Sequence, residues 1–428
     1  MAEIKPLRAW RYNRELSAQL ATLVAPLFDV VTAAQRDHLY ASPLNSIHLS
    51  VPRAGQDPSR LLNDWRSSGI LVQDDLPAIF PYAQQYTHPV TGNSARRTGF
   101  ICNVRTRDWN DRVILHHENT IPNAVNDRAG LLEATGLHTS PTHGLYDDPN
   151  KVLEPHLEAA LRSPLHSITD DQGIRHDLGV IHDHRLIRTF ISHLAGKPVI
   201  LADGHHRYEA SIRYSAKHGT LHQPDAPARP EDMHLMCLTN TSGNDLTILP
   251  THRLVSGIPG FDPAHLLNLL EADFMVTRTG PALPTPLPGQ AGSFGIITMA
   301  GNAIITLRHG HAASNPWPFP KAILDLDLTI LHYFIIEKLL GIPGSKQRAA
   351  IELNFERDAV VCQSQVSTGK AQAALLTNPV SIESILSVCT SGHTLPQKST
   401  YFYPKMMCGL IFSSVLPQDH RHPDLSGY

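Results

Sequence analysis

Paired cysteines, net charge and long apolar runs are all scarce in this sequence. Its five cysteines, Cys102, Cys237, Cys362, Cys389 and Cys408, lie far apart with no C-x-x-C pair, which argues against a zinc ribbon and against a disulfide framework. Lys+Arg number 36 against 39 Asp+Glu, a formal charge of -3. That balance supplies no overall pull toward nucleic acid or an anionic membrane. No segment offers the roughly 18 uninterrupted apolar residues of a membrane span. The opening "MAEIKPLRAWRYNRE" has charges where a signal peptide has its apolar core. The expectation is a cytoplasmic protein with neither nucleic-acid nor membrane partners.

Several catalytic signatures are missing too. No G-x-x-x-x-G-K precedes Ser399, and no G-x-G-x-x-G opens a helix, so neither a standard P-loop nor a Rossmann site is expected. G-x-S-x-G and H-E-x-x-H are absent, and "HHENT" lacks the second histidine of a zincin helix.

What is present is a chain of 428 residues, 42% hydrophobic, long enough for two or three domains. Its 26 histidines are scattered, so only clusters carry weight. Helices are expected at "TAAQRDHLYA" with Thr32 as N-cap, and at "DPSRLLNDWRSSG" with Asp57 as N-cap and Gly69 as stop. "NSIHLSV" reads as a short strand, and "AIFPYAQQY" with "RTGFICNVR" as a hairpin around "PVTGNS". "NDRAGLLEATG" reads as a helix opened by Asn126 and closed by Gly136, and "LDLTILHYFIIEKLLG" as another. The last residues, "PQDHRHPDLSGY", read as frayed.

"PVILADGHHRYEAS" reads as strand, tight turn and helix, which puts Gly204 to Arg207 at a helix N-terminus. The first N–H groups of a helix have no intrahelical acceptor, and the helix dipole adds positive charge, so such a start can seat an anion. Gly204 allows close backbone approach, while His205, His206 and Arg207 supply donors. Asp203 is either the N-cap of that helix or a group that binds Mg2+ or takes a proton from an attacking hydroxyl, jobs that phosphoryl transfer requires. Adjacent histidines are poorly spaced to share one metal on a helix. Three further clusters follow apolar runs: His116-His117-Glu118 with Thr120 and Arg128, Thr251-His252-Arg253, and Lys398-Ser399-Thr400 with Lys405. Each singly suits a surface loop, whereas jointly they favour an anion-binding enzyme.

The motifs "YNRE", "APLFDVV", "HHENT", "DRAGLLEAT", "ADGHHRYEA", "ILPTHRLV" and "KSTYFYPK" occur in an order that resembles domain of unknown function family 1015. More distantly, "DGHHR" is similar to the motif of free L-serine kinases, ParB proteins and sulfiredoxin. That resemblance implies an α+β fold: a ParB/sulfiredoxin-like mixed core over 1–220 with large insertions, and a C-terminal α+β region over 221–428 packing back on it. It implies Asp203 as catalytic base, with Glu118 or Asp29 as a second acid. Gly204, His205, His206, Arg207, His252, Arg253, Lys398, Ser399, Thr400 and Lys405 would hold phosphate. His117, Thr120, Arg128 and Glu209 would meet the substrate.

The implied activity is a small-molecule phosphotransferase acting on free L-serine or a similar hydroxyl compound, with Mg2+ and ATP, ADP or pyrophosphate. A homo-oligomer is compatible with it. The alternatives are a phosphatase or nucleotide hydrolase, and a ParB-like nucleotide-binding regulatory protein. Two positions depart from the family: Phe28 stands where a tyrosine is usual, and Leu395 where methionine is.

Overall fold

The computed structural model describes residues 2–420 apart from 224, 244–245, 348–349 and 397, with the backbone alone at 322. Packing divides the chain into two compact units. One comprises Met1–His116, Thr120–Thr247 and Pro404–Tyr428, the other His117–Asn119 and Ile248–Tyr403. The sequence expectation divided the chain once, at 220/221; the units change at 116/117, 119/120, 247/248 and 403/404.

The first unit is built on a nine-stranded mixed sheet. Its strands are β1 (Ile4–Lys5), β2 (Phe80–Thr87), β3 (Ser94–Arg105), β4 (Ile114–His116), β5 (Thr142–Tyr146), β6 (His166–Thr169), β7 (Arg175–Leu178), β8 (Val199–Asp203) and β9 (Met233–Asn240). They run in the order β6-β7-β2-β3-β9-β5-β8-β4, with β1 on β3. β8 pairs parallel to β4 and antiparallel to β5, while β9 pairs parallel to β5 and antiparallel to β3. The class is therefore α+β with a mixed sheet. All eight residues of β9 and all five of β5 are buried, the polar Thr142, His143, His234, Thr239 and Asn240 among them.

Helices α1 (Pro122–Thr135), α2 (His184–Leu194) and α3 (His205–His218) belong to this unit. Asp183 caps α2 by accepting from the N–H groups of Arg185 and Leu186, and Ile187, Phe190 and Leu194 form its buried stripe. Phe190 packs edge-on against Phe100 at 4.9 Å. Each such fully buried side chain stabilises the fold by about 1.5–3 kcal/mol. The turn after α2 then feeds β8, so the crossover places the Asp203 turn at the sheet's end.

Two local expectations are corrected. "NSIHLSV" is a helical turn, Ile47–Ser50, not a strand. The Asn45 side chain accepts from Ile47 N–H at 2.8 Å and donates to the carbonyls of Thr22 and Val24, so side-chain bonding to the backbone overrides β-branched propensity there. Helix α1 starts at Pro122 rather than Asn126, because Pro fits the first helical position. Gly136 ends it as expected, at φ 59°. The hairpin of β2 and β3 and the caps Thr32 and Asp57 are as read from the sequence.

The second unit holds a six-stranded sheet of β10 (His252–Val255), β11 (Phe274–Gly280), β12 (Ser293–Thr298), β13 (Gly301–Leu307), β14 (Leu353–Glu356) and β15 (Ala373–Leu376), ordered β11-β13-β12-β15-β10-β14. The stretch expected as one regular helix is α-helical only over Asp327–Ile330 and continues as a π-helix over Leu331–Glu337. Of the frayed end, Pro417–His420 forms a 3-10 turn and 421–428 lies outside the described residues. Among the described residues no helix is long and apolar enough to cross a membrane.

Candidate phosphate site

Strand β8 ends at Asp203, and the chain turns into α3 through Gly204 at φ 95°. Gly204, not Asp203, is the N-cap, and no side chain caps this helix. A Cβ at Gly204 would lie 2.5 Å from Thr142 Cγ2 and 2.8 Å from Arg207 Nη2, so both backbone conformation and space demand glycine.

The Asp203 carboxylate is used elsewhere. Its Oδ1 pairs with Lys405 Nζ, and its Oδ2 accepts from Arg207 Nη2 at 3.2 Å. Burial by itself would raise the Asp203 carboxyl; Lys405 and Arg207 outweigh it and hold the group well below the usual carboxylate range. Arg207 is braced in turn, since its Nη1 donates to Ser140 Oγ at 2.9 Å and to the Pro141 carbonyl at 2.8 Å. Its buried Nε–H has no acceptor among the described residues.

Lys405 is positioned from behind by β2 and β3. Arg97 donates to Gln84 Oε1 and to the Pro404 carbonyl, while Gln84 Nε2 donates to the Lys405 carbonyl at 2.9 Å. Buried His143 lies opposite Asp203 in the β5–β8 register, bonded to Thr239 Oγ1 at 3.1 Å. Burial drives His143 well below the ordinary histidine range, with Arg97 adding to the effect, so it is neutral. Lys405 and Arg207 thus pair with one carboxylate, and Arg97, bonded to Gln84 and the Pro404 carbonyl, acts on it through space.

Sequence reasoning singled out Asp203, Gly204, Arg207 and Lys405, and the structure brings them together. It missed Gln84, Arg97, Ser140, Thr142 and His143. Arg97 left a signal, a second arginine inside a strand that is otherwise buried, but its partners lie far away in sequence.

The other expected residues of this unit are placed as follows. His205 is buried and His206 half-buried on the first turn of α3. Glu209 accepts from the Trp109 indole N–H, and Trp109 packs on Tyr208 at 4.9 Å. Arg128 donates to the Ser50 carbonyl at 2.6 Å, bonds to Asp127, and lies 4.4 Å over the ring of Phe28. The Phe28 ring therefore serves as a cation–π platform. Asp29 is exposed in the adjoining turn, and Thr120 is half-buried.

The second unit holds the rest. His117 Nε2 bonds to Thr400 Oγ1 at 2.8 Å, and Glu118 Oε1 accepts from Ser399 N–H at 3.2 Å. His252 accepts from Thr377 N–H through Nδ1 at 3.2 Å, and burial lowers its pKa to about 4. Arg253 is fully buried, and Lys398 is exposed at φ 56°.

A family model described as "Protein of unknown function (DUF1015)" matches residues 4–329. The chain belongs to this family. The DUF1015 chain is also similar to three solved structures. A conserved hypothetical protein from Pyrococcus furiosus shares 12% identity at TM-score 0.36, covering 74% of this chain and 95% of that one. A free serine kinase in complex with AMP shares 10% at TM-score 0.37, covering 75% and 92%. SbnI from Staphylococcus aureus, C-terminally truncated, shares 12% at TM-score 0.36, covering 75% and 90%. No curated protein matches the DUF1015 chain.

Proposed function

We propose that the first unit binds the phosphate groups of a nucleotide or pyrophosphate and transfers one to the hydroxyl of free serine or a similar small alcohol. The observation that carries this reading is Asp203 at the start of α3, ion-paired with Lys405 and Arg207, with Arg97 acting on it through space. An excess of cations at a helix N-terminus entered through a left-handed glycine favours a multiply charged anion. The "DGHHR" resemblance to serine kinases supplies the reaction class.

The chemistry follows from where Asp203 stands. Phosphate arriving at the helix start competes for Lys405 and Arg207, weakening their hold on the carboxylate and returning its basicity toward the ordinary range. The substrate hydroxyl then attacks the terminal phosphorus and its proton passes to Asp203. The bond from phosphorus to the donor's bridging oxygen breaks, its electron pair leaving with the donor. Arg207 and the first-turn N–H groups stabilise the charge on the transferring group.

Mg2+ would enter with the donor's phosphates. Among the described residues no group of three or more His, Cys, Asp or Glu side chains is arranged to hold an ion. Asp203 is the one carboxylate in the ion-paired cluster and both its oxygens already face cations, so no step is assigned to the metal. The same arrangement with water as acceptor gives a phosphatase or nucleotide hydrolase. One observation favours the ParB-like regulatory reading: a carboxylate tied to two cations is a poor base unless a ligand frees it.

The test is to incubate purified protein with serine and, in turn, ATP, ADP and pyrophosphate, and to measure phosphoserine. Phosphoserine from one donor, abolished by Asp203→Asn with the circular dichroism unchanged, supports the kinase. Phosphate release without serine points to the hydrolase. Nucleotide binding with no turnover points to the regulatory protein.

A further inference from the structure

The second unit contains a cavity of about 260 Å³ beside the helical turn that leads into the π-helix. Residues 325–328 form one wall, 289–291 a second, and 378–381 with Ser384 a third. The second wall belongs to the Pro/Gly-rich stretch 280–292, which is tied down at several points. Leu287 N–H donates to Ser293 Oγ at 2.9 Å, the Leu287 carbonyl accepts from Asn378 Nδ2 at 3.1 Å, and Gly292 N–H donates to Asp327 Oδ1 at 2.6 Å. A Cβ on Gly295 would meet Pro284 O at 1.9 Å, so the stretch lies directly against β12. These ties fix the cavity's rim, as a ligand site built in advance requires.

The charge of the lining is one-sided. Among the described residues that line the cavity there is no lysine, arginine or histidine, and there are two aspartates. Asp325 is already paired, with the exposed Lys321. Asp327 is not. Its Oδ1 accepts from Gly292, while Oδ2 has no partner among the described residues and stays accessible. Burial raises the Asp327 pKa; the Gly292 bond opposes the rise, and no cation adds to that opposition. A half-buried carboxylate in this state lacks a counter-charge, which a ligand cation would supply. Asn378 spends its Nδ2 on Leu287 and keeps Oδ1 as a second acceptor. Leu326, Leu328, Val380 and Leu395 supply apolar wall.

We propose that the second unit binds a small organic amine, its ammonium on Asp327 Oδ2 and its apolar body against Leu326, Leu328, Val380 and Leu395. Charge sets the class: an anion would meet carboxylates with no cation in the lining, whereas an ammonium has three N–H donors and finds acceptors. Size narrows it. A cavity of about 150 Å³ accepts benzene, so this one admits a single ring with a short chain, far less than a nucleotide. The site is independent of the phosphate chemistry assigned to the first unit.

Phenethylamine and 2-phenylethanol match in size and differ in charge at pH 7, which makes them suitable probes for titration calorimetry on the full chain. The amine is expected to bind at least about tenfold more tightly than the alcohol, the difference that one charge-assisted hydrogen bond makes. Equal affinities, or no binding of the amine, overturn the proposal. Asp327→Asn keeps an acceptor for Gly292 N–H and removes the charge. It should weaken the amine at least about tenfold and leave the alcohol as it was, which also shows that the cavity is still formed. An amine affinity unchanged in this variant refutes the role of Asp327. Ser384→Trp fills the cavity from its rim, leaves Asp327 in place, and is expected to abolish amine binding. Undiminished binding there puts the amine elsewhere and refutes the site. Should Asp327→Asn fail to fold, the wild-type pair and Ser384→Trp decide.

Discussion

Replacing Lys405 by methionine keeps the apolar stem and removes the charge that Asp203 faces through Oδ1. The side chains of Lys405, Asp203 and Arg207 are exposed by only 12%, 13% and 10%. Removing one partner of a buried pair costs about 3–5 kcal/mol, whereas an exposed pair contributes about 0–1 kcal/mol. Asp203 keeps Arg207 at 3.2 Å in the variant, so the expected loss lies between these limits, at about 2–3 kcal/mol. At about 2–4 °C per kcal/mol for a unit of this size, the melting transition should fall by about 5–10 °C. A double-mutant cycle with Asp203→Asn isolates the pair.

Acid sharpens the test. The folded-state pKa of Asp203 is depressed, so its contribution is complete above the ordinary carboxylate range near pH 4 and is lost only as pH falls through the lower folded value. The coupling measured by urea unfolding at pH 7 should therefore persist at pH 4.5. A coupling under about 0.5 kcal/mol at pH 7, or one gone by pH 4.5, would refute the picture of a buried, doubly paired carboxylate.

Gly204→Ala should destabilise by about 2–4 kcal/mol in chemical denaturation, because it combines a left-handed backbone with a clash on Thr142; a change within 0.5 kcal/mol would contradict the turn geometry. Buried His138 titrates near pH 4 in the fold because of desolvation, so between pH 6.5 and 5 the unfolded chain takes up its proton and the fold does not. Stability should fall by about 2 kcal/mol over that window from this residue, and His138→Phe should remove that share of the slope. Arg97→Met should weaken nucleotide or pyrophosphate binding about tenfold or more in calorimetry if the phosphate site is as proposed, by releasing Pro404 and Lys405; unchanged affinity would sever Arg97 from the site.

Legibility in the sequence followed the range of the interaction. The turn at Gly204 was readable because strand, glycine and helix are encoded by neighbours, and so were the caps Thr32, Asp57 and Gly136. The role of Asp203 was not, because its partner Lys405 is 202 positions away. A local reading leaves it between an N-cap and a catalytic base. Long-range polar contact also hid Arg97 and Gln84, which look like ordinary strand residues until Pro404 returns beside them. The π-helix escaped for a different reason: its apolar pattern is also that of an α-helix, and a shift from i→i+4 to i→i+5 bonding leaves no mark on composition.

Lys405 and Arg207 at the helix start repel one another, Arg97 adds to their field, and Asp203 offsets part of that repulsion. A phosphate donor would take over that duty with more charge and more acceptor oxygens than one carboxylate has. The residue freed by the exchange is then the one whose proton affinity the proposed transfer would need. The coupling of occupancy to basicity makes a specific demand on the pH profile. Asp203 should be titratable in the ordinary carboxylate range only in the donor-bound protein, and an Asp203 signal in carbon-detected NMR that is unmoved by saturating donor would leave the carboxylate as a structural counter-charge and nothing more.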